Sequence, residues 1–263
     1  MEGKEIIKKV IAIKLQEGRW EASEDFVIEE YSLNLYADGK FVREFNCTPQ
    51  ELEDLVVGGL YTTGLIHRRE DVLSLDIDVS EGVARASLAE CSDVVETSRP
   101  PLNPDQTLLP KEDIFRMMEE NLTQTELFEK TGGVHSVSLY DLIDRRRMIY
   151  RQDAARHNAV DKLLGSALRE KRNLKESILV VSGRISGDIM DKARLAGIPV
   201  VLSKAAPTIQ SVEKAQAAGI TLVGFIRGLR MNIYANPQRI LLPDQVFGEI
   251  SRIRREEEVI RNR

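Results

Sequence analysis

The sequence predicts an α/β protein with a smaller β-rich part ahead of the main layered part. Three observations carry this reading. Before residue 90 or so the apolar residues mostly recur with a period of two; beyond about residue 111, strand and helix patterns alternate with short connections. Between them, Pro100, Pro101, Pro104 and Pro110 crowd the stretch from Thr97 to Pro110. Proline there removes backbone donors and fixes φ, so it punctuates rather than continues an element. The division expected is a β-rich α+β domain over 1–98, a linker over 99–110 and an α/β domain over 111–263.

Asp25-Phe-Val-Ile and Tyr31 to Tyr36 read as strands, and Ala37-Asp-Gly-Lys supplies a turn into Phe41–Phe45. Thr48-Pro49 opens a helix whose capping box is expected from Thr48 at the N-cap, Pro49 at the first helical position and Glu51. Its apolar stripe is Leu52, Leu55, Val56 and Leu60. Val72–Val79 and Gly82–Leu88 return to strand alternation.

In the α/β part, Glu112–Leu127 carries Ile114, Met117, Met118 and Leu122 at helical spacing. Val134–Tyr140 reads as a strand, Asn158–Arg169 as a helix and Ser177–Val181 as a buried strand. Ile185–Ala196 and Thr208–Ala218 read as helices, with strands at Pro199–Leu202 and Thr221–Phe225. Asp244–Arg263 is an amphipathic, highly charged helix, either a solvated face or a dimer contact.

The chain has 263 residues, 42 acidic against 37 basic, for a formal charge of −5. Bulk electrostatics therefore do not predict nucleic-acid binding. No apolar run reaches the ~20 residues a spanning helix needs. The first residues interleave charges without a signal-peptide core, so the cytoplasm is the expected compartment and no membrane is expected. The two cysteines, Cys47 and Cys91, read as free thiols there. Their separation offers no metal-ligand spacing.

Four polar or glycine-bearing turns fall at expected strand ends. Thr131-Gly132-Gly133-Val134-His135 leads into a strand, and its glycines permit close backbone approach to an anion. Ser182-Gly183-Arg184 follows a strand and precedes a helix, where phosphate is favoured; a serine cap beside a surface arginine is the alternative. Phe225-Ile226-Arg227-Gly228-Leu229-Arg230 sets two arginines about a glycine, suited to bidentate phosphate or guanine contacts, with Phe225 able to pack on a ring. The fourth is 151–165, where Asp153, Arg156, His157, Asn158, Asp161 and Lys162 crowd a helix start ahead of Leu163-Leu164. It reads either as a ligand-facing wall or as a capped helix start with surface ion pairs. In the first case Arg156, His157, Asn158 and Lys162 face the ligand, while Asp161 orients its neighbours. Together the four turns suggest a polyanionic, nucleotide-like ligand.

Cys91 lies in Leu88-Ala-Glu-Cys-Ser-Asp-Val-Val just before the linker, flanked by Glu90 and Asp93, which raise a thiol's pKa. Cys47, in Phe45-Asn-Cys-Thr-Pro, reads as a small buried residue.

The ordered set of motifs resembles the FdhD family of formate dehydrogenase accessory sulfurtransferases along nearly the whole chain. It runs from Cys47-Thr-Pro49 and Gly59–Ile66 through Thr131–His135, Arg156–Lys162 and Ser182–Ser186. It closes with Ala206-Pro-Thr208, Gly219–Phe225, the two arginines after it, Asn232-Ile-Tyr234 and Pro237–Ile240. The resemblance implies a cytidine-deaminase-like C-terminal domain, a mixed sheet with flanking helices, and often a homodimer. It implies a cysteine desulfurase and a formate dehydrogenase as partners. It also implies a persulfide carried to the molybdenum bis-(molybdopterin guanine dinucleotide) cofactor, a guanine-nucleotide-containing ligand. The family's Phe-x-Arg-x-x-Arg run matches Phe225 to Arg230. Its persulfide cysteine corresponds to Cys91, while Val94 stands where the second cysteine of the Cys-x-x-Cys loop belongs. Two functions follow: a sulfur-transferring carrier, or a cofactor-binding chaperone without sulfur transfer. A third, from fold analogy alone, is a nucleotide-modifying enzyme using His135 and His157 as acid–base groups.

Overall fold

The structure, a computed structural model, describes residues 6–90, 108–123 and 125–246. Twelve strands and six α-helices occur among them, in three sheets.

A hairpin of β1 (Ile7–Gln16) and β2 (Arg19–Ile28) stands as a two-stranded sheet of its own. The sequence predicts strand only over Asp25–Ile28 of it. In β1 apolar and basic residues share both faces, so no clean alternation marks it. Next come β3 (Tyr31–Ala37), β4 (Lys40–Cys47), α1 (Leu52–Thr62), β5 (Val72–Asp78) and β6 (Val83–Leu88). These strands form a sheet in the order β4-β3-β6-β5, with β3 and β6 parallel.

The larger sheet holds β7 (His135–Asp141), β8 (Arg147–Asp153), β9 (Ser177–Val181), β10 (Val200–Ser203), β11 (Thr221–Arg227) and β12 (Arg230–Ala235). Its order is β12-β11-β10-β9-β7-β8. The central β9-β10-β11 run is parallel and both borders are antiparallel. The mixed α/β architecture expected is therefore present. Side chains alternate between two cores: Leu179, Val181, Val201 and Leu222 enter one, and Ile178, Val180, Val200, Leu202 and Val223 the other. The first core also takes α4 (Arg156–Arg169), α5 (Gly187–Ala196) and α6 (Ile209–Ala217), and the second takes α2 (Lys111–Leu122). Burying both faces is what makes these strands read as continuous apolar runs. The two strands the sequence does not mark, β8 and β12, are the edges of this sheet, and their polar residues hide the period.

Three local expectations are corrected. The capping box at Thr48 does not form: α1 begins at Leu52, and Glu51 sits at φ 44° without a side-chain cap. Thr48 instead gives its N–H and hydroxyl to buried Asp153 Oδ2, at 3.0 and 3.1 Å. A buried carboxylate needs such donors more than an exposed helix start does. The helix expected over 112–127 divides into α2 and α3 (Glu126–Thr131), because Thr125 Oγ1 accepts from Phe128 N and starts a new helix. Lastly, the 151–165 segment is not all helix start: residues 151–153 close β8, and α4 follows after a bend.

Helix α1 crosses α4 at two glycines. A Cβ on Gly58 would overlap the Asp161 carbonyl, and one on Gly165 the Asp54 carbonyl. This close approach joins the N-terminal part to the larger sheet through one apolar core. The C-terminal helix expected over 244–263 lies, beyond residue 246, outside the described residues, as does Cys91.

Candidate functional site

In an open sheet, ligands collect outside the carboxyl ends of the parallel strands. Here three successive strands deliver Ser182-Gly183 from β9, Lys204 from β10 and the Phe225–Arg230 hairpin from β11. The elbow of α2 and α3 closes the opposite side, fixed to the sheet by buried Asn121. Asn121 donates to Ser136 and accepts from Ser138 Oγ at 2.7 Å.

Two contiguous cavities lie between these walls. The smaller, about 210 Å³, is lined in part by Thr125, Gly132, His135, Tyr150, Ser182 and Lys204. The larger, about 720 Å³, is lined in part by Phe115, Met118, Lys204, Ile226, Arg227 and Leu229. Leu122, Thr123 and Lys204 belong to both, so Lys204 stands at their junction. Its backbone is held on either side: its N–H donates to Val181 O at 3.2 Å, and its carbonyl accepts from Arg227 Nε at 3.2 Å. A polar end, a cationic junction and a larger, mainly apolar chamber that also carries Glu119 and Glu129 have the size for a nucleotide.

The β11–β12 hairpin has a two-residue turn, Gly228-Leu229, with Gly228 at φ 55°. Arg227 and Arg230 are directly opposed across it and both are exposed. Like charges so placed repel, and an anion relieves them. Phe225 adopts φ 52°, a region a bulky residue enters only under constraint, at an irregularity in the β11–β12 register. Its ring meets Tyr234 at 6.5 Å, and Arg227 lies 5.8 Å from its centroid.

The Arg156, His135 and Gly183 positions converge. A Cβ on Gly183 would lie 3.1 Å from His135 Nδ1 and 3.4 Å from Arg156 Cβ. Arg156 Nε is buried without a hydrogen-bond partner among the described residues. Burial holds the His135 pKa below the ordinary imidazole value, with Arg156 adding to the effect and Asp153 opposing it. His157 is lowered likewise, by burial first and then by Lys192 and Arg156. Both shifts favour the neutral ring.

Other expected site residues stand elsewhere. Lys162 is wholly buried, 2.7 Å from Asp153 Oδ2 and donating to Thr48 Oγ1 at 2.8 Å. Buried Asn158 donates to Asn46 O at 2.6 Å and to Asp153 Oδ1 at 3.3 Å. These two brace the floor beneath the strand ends and are absent from both cavity linings. Gly133 packs near Ile28, and Arg184 is exposed outside both linings. Asp161 takes Lys192 at 2.6 Å, Thr62 at 3.0 Å and Arg43 at 3.5 Å.

Sequence reasoning passed over Lys204, Thr125 and Tyr150. Lys204 had a signal, since it follows a strand in Ser203-Lys204-Ala-Ala-Pro-Thr208, but lacks the glycine that marks the other turns. Burial pushes the Cys47 thiol up to about 12, with Asp153 adding to the rise and Lys162 opposing it. Cys47 is thus no nucleophile at neutral pH. Among the described residues no group of three His, Cys, Asp or Glu side chains is placed to hold a metal. None of the described helices is long and apolar enough to cross a membrane.

The model of the FdhD/NarQ family matches residues 28–98 and 81–241. A sulfur carrier protein FdhD from Halalkalibacterium halodurans is 36% identical over 247 residues, covering 84% of this chain and 90% of that protein. One of the same name from Staphylococcus haemolyticus is 33% identical over 265 residues, covering 90% of this chain and 98% of its own length. A crystal structure of a candidate formate dehydrogenase accessory protein from Desulfotalea psychrophila superposes with a TM-score of 0.78 at 25% identity. It covers 90% of this chain and 100% of that one. The strand-end motifs, the fold that gathers them and these likenesses together place the chain in the FdhD/NarQ family.

Proposed function

We propose that this protein is a sulfur carrier that serves formate dehydrogenase, holding the guanine dinucleotide part of the molybdenum cofactor in the groove at the ends of β9, β10 and β11. The observation that carries the reading is the pair of contiguous cavities meeting at Lys204, with Arg227 at one end, Arg230 opposite it across the hairpin, and His135 and Ser182 at the other end. The names of the relatives give the class of function: the similar proteins are named sulfur carriers, and the similar structure is of a candidate formate dehydrogenase accessory protein. In this reading the β9–β10–β11 core is cytidine-deaminase-like, the compartment is the cytoplasm and the sulfur comes from a cysteine desulfurase.

The residues divide the work. Lys204, Arg227 and Arg230 supply cations for phosphate; Ile226 and Leu229 border the apolar chamber; Gly132 and Gly183 leave room for close approach. Neutral His135 is a hydrogen-bonding group rather than a second cation at the polar end. Cys91 is the acceptor of sulfur. Its thiolate attacks the outer sulfur of the desulfurase persulfide, the donor S–S bond breaks, a new S–S bond forms on Cys91 and the desulfurase thiolate leaves. One thiolate suffices for that exchange.

Val94, in place of a second loop cysteine, favours one other reading: a chaperone that binds the cofactor without carrying sulfur. Incubation with labelled cysteine and a desulfurase separates the two. The carrier reading expects label on the wild type, released by thiol reductant, and none on Cys91→Ala. Equal labelling of both proteins, or of neither, contradicts it, and absence of label with retained nucleotide binding leaves the chaperone.

A further inference from the structure

The larger chamber holds two features that its cations do not account for. Glu119 and Glu129 line it, and both repel a phosphate. Apolar side chains line it from two sides: Phe115 and Leu122 on α2, and Ile226 and Leu229 on the hairpin, where Leu229 keeps 90% of its surface in water. A carboxylate in such a place calls for a ligand part that donates hydrogen bonds, and the apolar walls call for a flat one.

Phe115, Glu119 and Leu122 recur at intervals of four and three, so they share the face of α2 that lines the chamber. Glu119 therefore emerges between two apolar side chains, one turn to either side. Its backbone is fixed where α2 ends, since its carbonyl accepts from Thr123 N–H at 2.7 Å and from Thr123 Oγ1 at 3.0 Å. The other acids of α2 are engaged: Arg116 holds Glu120 at 2.8 Å and Asp113 at 3.3 Å, and Lys111 lies 3.9 Å from Glu112. Among the described residues Glu119 is the one acid of this helix without an ion pair. Glu129 is the only residue of α3 in the lining, so no apolar neighbour on its own helix brackets it.

We propose that Glu119 is the residue that selects the base, accepting guanine's ring N1–H on one carboxylate oxygen and its 2-amino N–H on the other, an assignment that rests on the nucleotide reading of this groove. An ionised carboxylate only accepts hydrogen bonds, and guanine sets two donors side by side along one edge. Adenine has a bare ring nitrogen at the same place, so a lone pair faces an anion. The base of inosine keeps the ring N–H but lacks the amine. The direction of the ligand follows from the charges. Its base packs between the Phe115 face of α2 and the hairpin, while its phosphates turn from Glu119 toward Lys204. Beyond Lys204 the smaller cavity has no carboxylate in its lining among the described residues.

The test is calorimetric titration of the full chain with the diphosphates of guanosine, inosine and adenosine. Wild type should bind guanosine diphosphate ~10- to 100-fold more tightly than adenosine diphosphate, with inosine diphosphate between them. Glu119→Gln should lose at least ~10-fold of that preference, because an amide offers one acceptor and one donor where guanine needs two acceptors. Glu119→Ala, which keeps a good helix former at the position, should show the same loss. Lys204→Ala, by contrast, should weaken all three ligands alike and leave their ranking unchanged. A wild type indifferent to the base, or a preference unmoved in both Glu119 variants, overturns the proposal while the nucleotide reading stands. Failure of the wild type to bind any of the three overturns both. A carboxylate also suits a ribose diol. If the Glu119 variants lose affinity equally for all three diphosphates, and none for 2′,3′-dideoxyguanosine diphosphate, Glu119 holds the sugar and the proposal fails.

Discussion

Lys162 Nζ lies 2.7 Å from Asp153 Oδ2, and both side chains are wholly buried. The pair joins the end of β8 to the second turn of α4. Through Thr48, which bonds to both partners, it also fixes the loop that enters α1. Charged residues in a row at 151–165 thus divide by depth. Asp153, Asn158 and Lys162 make the floor, while Arg156 has a buried Nε with no hydrogen-bond partner among the described residues.

Breaking that pair should be costly. Removing one partner strands a buried charge, a loss of about 3–5 kcal/mol. Lys162→Met is expected to lower the unfolding free energy measured in urea by that amount, and Asp153→Asn with Lys162→Met to recover part of it. A single-variant loss below about 1 kcal/mol, on the scale of surface pairs, would contradict the assignment of Lys162 to the floor.

The α1–α4 crossing predicts a steric effect. Gly58→Ala or Gly165→Ala places a methyl group against a carbonyl of the facing helix. Rigid backbone cannot yield as a side-chain tip can, so each is expected to destabilise by about 1–3 kcal/mol or more. Thermal melts of the two variants check this, with Gly64→Ala, whose added Cβ meets nothing but whose φ is positive, as a comparison for backbone strain alone.

Thiol chemistry separates the two cysteines. With its thiol pushed up to about 12, Cys47 should resist a disulfide reagent in native Cys91→Ser protein at neutral pH and react once the chain is unfolded. The sign of the linkage follows. The raised native value contributes stability that is fully present below the unfolded thiol's range and is lost as pH rises toward about 12. Rapid native labelling of Cys47 would contradict its burial.

His135 and His157 both titrate below the ordinary imidazole value. A depressed histidine contributes stability above its unfolded pKa that is lost as pH falls through the lower native value, so acid should weaken the fold from about pH 6.5 downward. Proton NMR of the imidazole resonances checks the direction. Arg156→Ala should move the His135 titration upward; no movement would separate Arg156 from this cluster.

The architecture was legible where side chains bury on both faces. The strands β9, β10 and β11 and the helices between them are marked by apolar runs and helical stripes that follow directly from a two-sided core. Edges were not legible, since β8 and β12 carry polar residues whose strand pairing is set by the neighbour, not by their own period. Site residues show the same limit. Ser182 and Arg227 lie at the ends of parallel strands, whose carboxyl ends chain order makes legible, whereas Gly132 and His135 reach the same edge because β7 runs antiparallel to β9. Whether a charged residue within a turn faces the cavity or the core depends on packing from outside the segment. Lys162 points down to Asp153, which Thr48 reaches from far off in sequence, while Lys204, with no glycine to mark it, stands at the junction.

In the proposed function the Lys204 junction holds a guanine nucleotide's phosphates, which calorimetric titration of the full chain with guanosine diphosphate checks. Charge-assisted hydrogen bonds contribute about 1.5–3 kcal/mol each, so Lys204→Ala and Arg227→Ala should each weaken binding ~10- to 100-fold. Guanosine, lacking phosphate, should bind wild type and variants alike. Undiminished diphosphate binding by both variants, or none by the wild type, would contradict the account.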